Sequence, residues 1–195
     1  MFPRIVLASQ SPRRREMLRS IVSEFELASA DIDETVKPDE LPEDYVTRLA
    51  IEKAQVIAKD NPNSIVIGSD TTVVAITEDN KQVILCKPED LADSQRMFAL
   101  MSGKIHLVMT AFAFVYNDKV RVENVVTEVN FRKVTDEEVE AYWLTGEPQD
   151  KAGSYGLQGI GGKFVKSING SVSAVVGLPL AELEQGLIEF VKNEC

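Results

Sequence analysis

The stretch Ile5-Val6-Leu7-Ala8-Ser9-Gln10-Ser11-Pro12-Arg13-Arg14-Arg15-Glu16-Met17-Leu18 decides how the chain is read. An apolar strand runs into a short polar loop, and the loop opens a helix. Ser11 is a natural N-cap, and Pro12 suits the first helical position because its missing N–H is not needed there. Three arginines then fall in the first helical turn, the end at which the helix dipole disfavours cations. A strongly negative group among them reverses that balance. Ser hydroxyls, open backbone N–H groups and guanidinium forks together form a phosphate cradle. A solvated basic patch is the other reading of a short charge run, and this stretch alone leaves both open.

Outward from this unit, strand-like and helix-like segments alternate. Arg4 to Ala8 reads as a buried strand, Pro12 to Ile21 as a helix and Phe25 to Ser29 as a short strand. The acidic loop Asp31-Ile32-Asp33-Glu34-Thr35 follows, then a long helix from Pro42 to about Ala58. Ser64 to Gly68 reads as a strand ending at Ser69-Asp70, with further strands at Thr71 to Thr77 and Gln82 to Leu85. A helix spans Leu91 to Met101, and Ile105 to Tyr116 with Val120 to Arg132 reads as a long hairpin. Thr135-Asp136-Glu137-Glu138 is a capping box for a helix through about Leu144. Lys163 to Ile168, Asn169-Gly170 and Ser171 to Val176 read as a second hairpin, and Pro179 opens the last helix. Hairpins and helix crossovers coexist, so the fold class is α/β with a mixed twisted sheet and flanking helices. The hairpins extend a second lobe, and a central cleft between lobes is the default ligand site.

The 195 residues fit one large domain or a bilobed one. No apolar run is long enough to span a bilayer, and the first residues lack the pattern of a secretory signal. Cys86 and Cys195 have neither metal-binding nor redox spacing, so a reducing cytoplasm is the expected compartment. The net charge of −10 argues against binding a nucleic-acid polymer. Yet five of the nine arginines, Arg4, Arg13, Arg14, Arg15 and Arg19, lie in the first nineteen residues. One basic spot on an acidic protein suits a small, highly charged ligand.

Asp70 follows the apolar strand Ile65-Val66-Ile67, where α/β sheets place ligands, and a carboxylate there serves as general base or metal ligand. Lys53 falls within the apolar stripe Tyr45, Val46, Leu49, Ala50, Ala54, Ile57 and Ala58. A buried lysine needs an anion, so a phosphate or a carboxylate is expected opposite it, unless the side chain snorkels past the core edge. Lys87 is a weaker case of the same kind. Residues 153–162 hold five of the eleven glycines, with Asp150-Lys151 before them and Gln158 among them. This loop is neither a P-loop nor a dinucleotide fingerprint. His106 is the only histidine and lies in an alternating strand, which makes it structural. A histidine triad and a multi-histidine metal site are therefore excluded. The remaining Asp, Glu, Lys, Arg, Ser and Gln suit metal-assisted hydrolysis of a phosphoanhydride.

These motifs together resemble those of the Maf family of nucleoside triphosphate pyrophosphatases. The resemblance rests on Ser9-Gln10-Ser11-Pro12-Arg13-Arg14, Ser69-Asp70-Thr71, Lys87-Pro88, Ser102-Gly103 with His106, and Glu147-Pro148 through Gly153. Tyr155-Gly156-Leu157-Gln158-Gly159 and Val176-Gly177-Leu178-Pro179-Leu180 complete it. Cys86 stands where relatives often carry Gly or Glu. The resemblance implies one domain over 1–195, a fold related to the inosine triphosphate pyrophosphatases, and a cytoplasmic homodimer. It implies hydrolysis of a nucleoside triphosphate to monophosphate and pyrophosphate with Mg2+ or Mn2+. It makes Asp70 the catalytic base and gives the cation to Glu34 and Asp70. Arg13, Thr71 and Gln158 fall on positions tied to substrate choice in the dTTP/UTP subgroup. Ser9, Arg14, Lys53, Lys87 and Asp150 fall on polar positions of the substrate site. A preference for 7-methyl-GTP and a non-catalytic regulator of septum formation are the competing readings.

Overall fold

A computed structural model describes residues 3–194; Cys195, read above with Cys86 as lacking metal-binding or redox spacing, lies outside them. The expected mixed α/β architecture is observed. β1 (Arg4–Ala8) lies parallel to both β2 (Glu26–Ala28) and β3 (Ser64–Ile76), with Leu7 opposite Ile67 and Ala8 opposite Gly68. β4 (Gln82–Leu85) folds back antiparallel on the distal part of β3, with Val73 opposite Leu85. β5 (Ile105–Tyr116) and β6 (Lys119–Phe131) are the long hairpin, turned at Asn117 in the left-handed region (φ 54°), and β7 (Val165–Asn169) pairs antiparallel with β6. Among the described residues these strands form one sheet in the order β2-β1-β3-β5-β6-β7, with β4 attached to β3.

Six α-helices accompany the strands among the described residues: α1 (Pro12–Leu18), α2 (Pro42–Ala58), α3 (Leu91–Met101), α4 (Asp136–Trp143), α5 (Val172–Val176) and α6 (Leu180–Glu194). α1 starts as the sequence dictates, with the Ser11 side chain accepting from the Arg14 N–H. It ends three residues earlier than expected, because the Ser20 and Ile21 amides turn back to the Met17 and Leu18 carbonyls and tighten the last turn. α4 carries the full capping box of Thr135 and Glu138.

Two expectations are corrected. β3 does not break at Ser69-Asp70 but runs on to Ile76, buried along almost its whole length. Asp70 therefore sits inside a strand. The second hairpin has only one β arm. After Gly170, Ser171 caps a helix by accepting from the Ala174 N–H, so the Val-rich run 172–176 is α5. β7 already has β6 as its partner, and the run needs no ladder.

The chain forms two compact units. One holds the residues up to Asp70, Thr110–Val125 and the chain from Gly177 onward. Its core joins Ile5, Leu7, Ile65, Ile67, Phe112, Phe114 and the apolar face of α6. The other holds Thr71–Met109 and Val126–Val176, around an aromatic core of Phe98, Phe131, Tyr142, Tyr155 and Phe164.

In the first unit α2 packs against β3 at Gly68. A Cβ there would run into the Ala50 carbonyl oxygen and come within 2.7 Å of the Ala54 nitrogen. Only a residue without a side chain lets the helix backbone come this close. Gly68→Ala should therefore destabilise the protein by about 1–3 kcal/mol through overpacking. The midpoint of chemical denaturation measures this, and an unchanged midpoint would mean that the helix shifts freely.

Candidate active site

The close contact of α2 and β3 puts Lys53 beside Asp70. Both are only 8% exposed. The Lys53 Nζ lies 2.6 Å from Asp70 Oδ1 and 2.6 Å from Glu34 Oε1. Of the two answers open for a lysine in an apolar stripe, the structure provides carboxylates. Glu34 comes from the acidic loop and its side chain is 45% exposed.

That loop is fastened to α2 by residues that sequence reasoning missed. The Tyr45 hydroxyl donates to the Glu34 carbonyl at 3.0 Å, and Arg48 Nη2 donates to the Thr35 carbonyl at 3.1 Å. Arg48 also grips Glu40 with Nε on Oε1 at 2.5 Å and Nη2 on Oε2 at 2.8 Å. The Arg48 hydrogen bonds pull the Glu40 carboxyl down to about 2, against the opposing effect of burial. A bidentate grip of this kind fixes orientation as well as distance. The available signal was the spacing of Arg48 and Glu52, four apart on one helix and 3.3 Å apart here.

Arg14 is half-buried, and its Nε donates to the Gly177 carbonyl at 2.8 Å. The Ser69 hydroxyl donates to the same oxygen at 3.4 Å. Burial pushes the Arg14 guanidinium below its ordinary value. Asp70 opposes this shift, Arg13 adds to it, and Glu34 opposes it further. Ser9 Oγ accepts from the Ser11 N–H at 3.2 Å, which shapes the loop before α1. The first unit thus gathers Arg14, Glu34, Lys53 and Asp70, with Arg13 in the first turn of α1 and Ser9 in the loop before it.

Thr71, Lys87, Asp150 and Gln158 belong to the second unit. Thr71 is half-buried in β3, next in sequence to Asp70. Lys87 is exposed and lines a recess of about 530 Å3 with Cys86, Asp90, Asp93 and Arg96. Asp150 Oδ1 accepts from Lys151 Nζ at 2.6 Å, and the same Nζ donates to the Glu147 carbonyl at 2.7 Å. Gln158 is exposed within the glycine-rich segment. Glu147, quoted above only as part of a motif, accepts from Tyr142, Ile160 and Gly161. Burial alone would raise its carboxyl, but these donors, led by the Gly161 N–H, hold it below the usual carboxylate range.

The sole histidine is structural, as expected. His106 is fully buried between Phe131 and Tyr155, and its Nε2 shares a 2.9 Å hydrogen bond with the Tyr155 hydroxyl. Burial pushes its pKa down to about 3.

Among the described residues, no group of three or more His, Cys, Asp and Glu side chains is placed to hold a metal ion. Glu34 and Asp70 meet at one position that already carries positive charge, that of the Lys53 ammonium. Two carboxylates with only oxygen donors fit a hard divalent cation of the kind that takes its other ligands from water and substrate phosphates.

The family model described as Maf-like protein matches residues 4–190. A dTTP/UTP pyrophosphatase of Vibrio parahaemolyticus is 48% identical over 96% of this chain and 97% of its own length. A dTTP/UTP pyrophosphatase of Colwellia psychrerythraea is 51% identical over 93% of this chain and 86% of its own length. Among solved structures, the Staphylococcus aureus Ham1 protein aligns with a TM-score of 0.45 and 14% identity, over 66% of this chain and 71% of that one. That last likeness is too slight to carry an argument.

His106 gives a pH dependence whose sign is fixed. The unfolded chain binds a proton below about pH 6.5 that the folded chain refuses until about pH 3. Its stabilising contribution is therefore complete above pH 6.5 and falls as the pH drops. Between pH 7 and pH 5 the protein should lose about 2 kcal/mol from this group. Denaturation midpoints across that range measure the slope, and His106→Phe should flatten it.

Proposed function

The chain belongs to the Maf-like protein family, and from that premise we propose that it is a nucleoside triphosphate pyrophosphatase. Its substrates are dTTP and UTP, the activity named for its relatives, and its products are the monophosphate and pyrophosphate. The observation that carries the reading is the Lys53 ammonium held 2.6 Å from both the Asp70 and the Glu34 carboxylates. Half-buried Arg14 shares their electrostatic field.

In this reaction a water molecule attacks a phosphorus of the α–β anhydride, the bridging bond breaks and pyrophosphate leaves. Asp70 takes the proton of that water at Oδ2, while Lys53 holds Oδ1 and sets the plane of the carboxylate. Arg14 carries only donors and binds phosphate oxygens. The bond to the Gly177 carbonyl sets the plane of the Arg14 guanidinium. Ser9, Lys87 and Asp150 complete the substrate contacts. Glu34 and Asp70 would hold a divalent cation, Mg2+ or Mn2+, which when bound would offset phosphate charge.

Arg13, Thr71 and Gln158 read the base, Arg13 through donors that suit a carbonyl and not the amino group of cytosine. Uracil and thymine present carbonyl acceptors beside an N–H donor, an edge that an amide of one acceptor and one donor group matches. The same reading makes the enzyme a cytoplasmic homodimer, which light scattering tests. Among the described residues no helix is long and apolar enough to cross a membrane.

Purified protein with Mg2+ or Mn2+ should convert UTP to UMP and pyrophosphate, resolved by chromatography; release of UDP and orthophosphate would refute the assigned bond. Asp70→Asn should lower turnover by about 10²–10⁴-fold in protein that still folds, with a lower thermal midpoint because Lys53 keeps only Glu34 as a charged partner. Near-normal turnover would remove Asp70 from the chemistry. Because a buried mismatch costs about 1–3 kcal/mol, kcat/KM for UTP and dTTP should exceed that for CTP by about tenfold to a hundredfold. A higher value for 7-methyl-GTP would move the protein to the other subgroup.

A further inference from the structure

The glycines at 156, 159 and 161 flank the exposed Gln158 in sequence, and a reason for them lies within their own unit. One carboxylate explains them. Glu147 Oε1 accepts from the Tyr142 hydroxyl at 2.7 Å and from the Gly161 N–H at 3.0 Å, and its Oε2 accepts from the Ile160 N–H at 2.8 Å. The Tyr142 hydroxyl in turn accepts from the Gly156 N–H at 3.1 Å. Both ends of the segment 156–161 are therefore tied to Glu147, one directly and one through Tyr142, and Gln158 lies between the ties.

The glycines make this arrangement possible. A Cβ at 159 would fall on the Glu147 carboxylate, and a Cβ at 161 would lie 2.5 Å from Tyr142 Oη. A Cβ at 156 would meet Lys151 Cε at 2.9 Å and Glu147 Oε1 at 3.2 Å. On the other side, the Lys151 ammonium grips the Glu147 backbone carbonyl.

We propose that Glu147 is the positioning residue for base choice, because its carboxylate ties down both ends of the 156–161 loop and so fixes where Gln158 meets the base of the nucleotide. This rests on the reading of Gln158 given above. A glutamine amide flips readily and can match cytosine as well as uracil. It discriminates only beside a second, fixed donor such as Arg13, and a fixed loop keeps the amide in register with that donor, so that one pairing is good and the other is left unsatisfied. A loop free to shift would let the amide adapt to either edge.

The isosteric variant is a sharp test. All three groups around the carboxylate are donors, and a carboxylate only accepts. In Glu147→Gln one oxygen becomes an NH2 group. Either orientation of the amide sets that NH2 against at least one of the three donors. The experiment measures kcat/KM for UTP and for CTP, together with amide hydrogen exchange over 156–161, in the wild type, Glu147→Gln and Tyr142→Phe. Glu147→Gln should speed loop exchange and lower the UTP-to-CTP ratio by about tenfold, with CTP turnover and the thermal midpoint little changed. Tyr142→Phe, which cuts only the Gly156 end, should act in the same direction and more weakly; it carries the test alone if the Gln variant fails to fold. Unchanged exchange, or faster exchange with an unchanged ratio, overturns the proposal. A wild type with no preference for UTP overturns the base-reading function itself, and this role with it. A preference that survives both substitutions overturns the role alone.

Discussion

The approach of α2 to β3 at Gly68 is the constraint on which the rest of the first unit depends. With no side chain at 68, the helix backbone comes near enough to the strand for Lys53 to reach Asp70 within the core. The acidic loop is fastened to the same helix through Tyr45 and Arg48, so the position of Glu34 follows from the position of α2. Steric access, more than charge, brings the carboxylates together. The charge then makes the arrangement tolerable, because a buried ammonium with two carboxylate partners avoids much of the cost of losing water.

The two units solve the same problem with opposite chemistry. In the first, one cation draws in two carboxylates. In the second, one carboxylate draws in three donors, two of them backbone amides. Lysine extends on a long flexible stem, so the first cluster needs a rigid helix to aim it. Backbone amides have no stem, so the second cluster needs a flexible chain that can wrap around its anchor. The residues recruited differ accordingly: alanines and one glycine at the helix–strand contact, and a run of glycines around Glu147.

Elements with strong local signals were legible in the sequence. The Ser11-Pro12 start of α1, the capping box at Thr135, the α2 stripe with its misplaced lysine and the Asn117 turn each depend on chemistry within a few residues. Lys53 and Asp70 could be singled out because each breaks its own local pattern. Where local chemistry was ambiguous, distant partners decided. Ser69-Asp70 looked like the end of a strand, but the charge of Asp70 is met by Lys53, seventeen residues away, and the strand continues. The run 172–176 is rich in β-branched residues, yet Ser171 caps it and β6 already has a partner. Arg48 and Glu147 look like ordinary surface charges, and only the folded loops around them show what they hold.

The bond from Arg14 to the Gly177 carbonyl spans 163 residues. A ribosome makes the arginine long before its acceptor. Until Gly177 has emerged, the guanidinium lacks this acceptor, and β1 must meanwhile wait for β3 to be synthesised before that parallel pair can form. Contacts of such separation are slow to close and are settled late in folding. The orientation of Arg14 beside Asp70 and Glu34 is therefore fixed only after Gly177 has been synthesised and folded back onto the start of the chain.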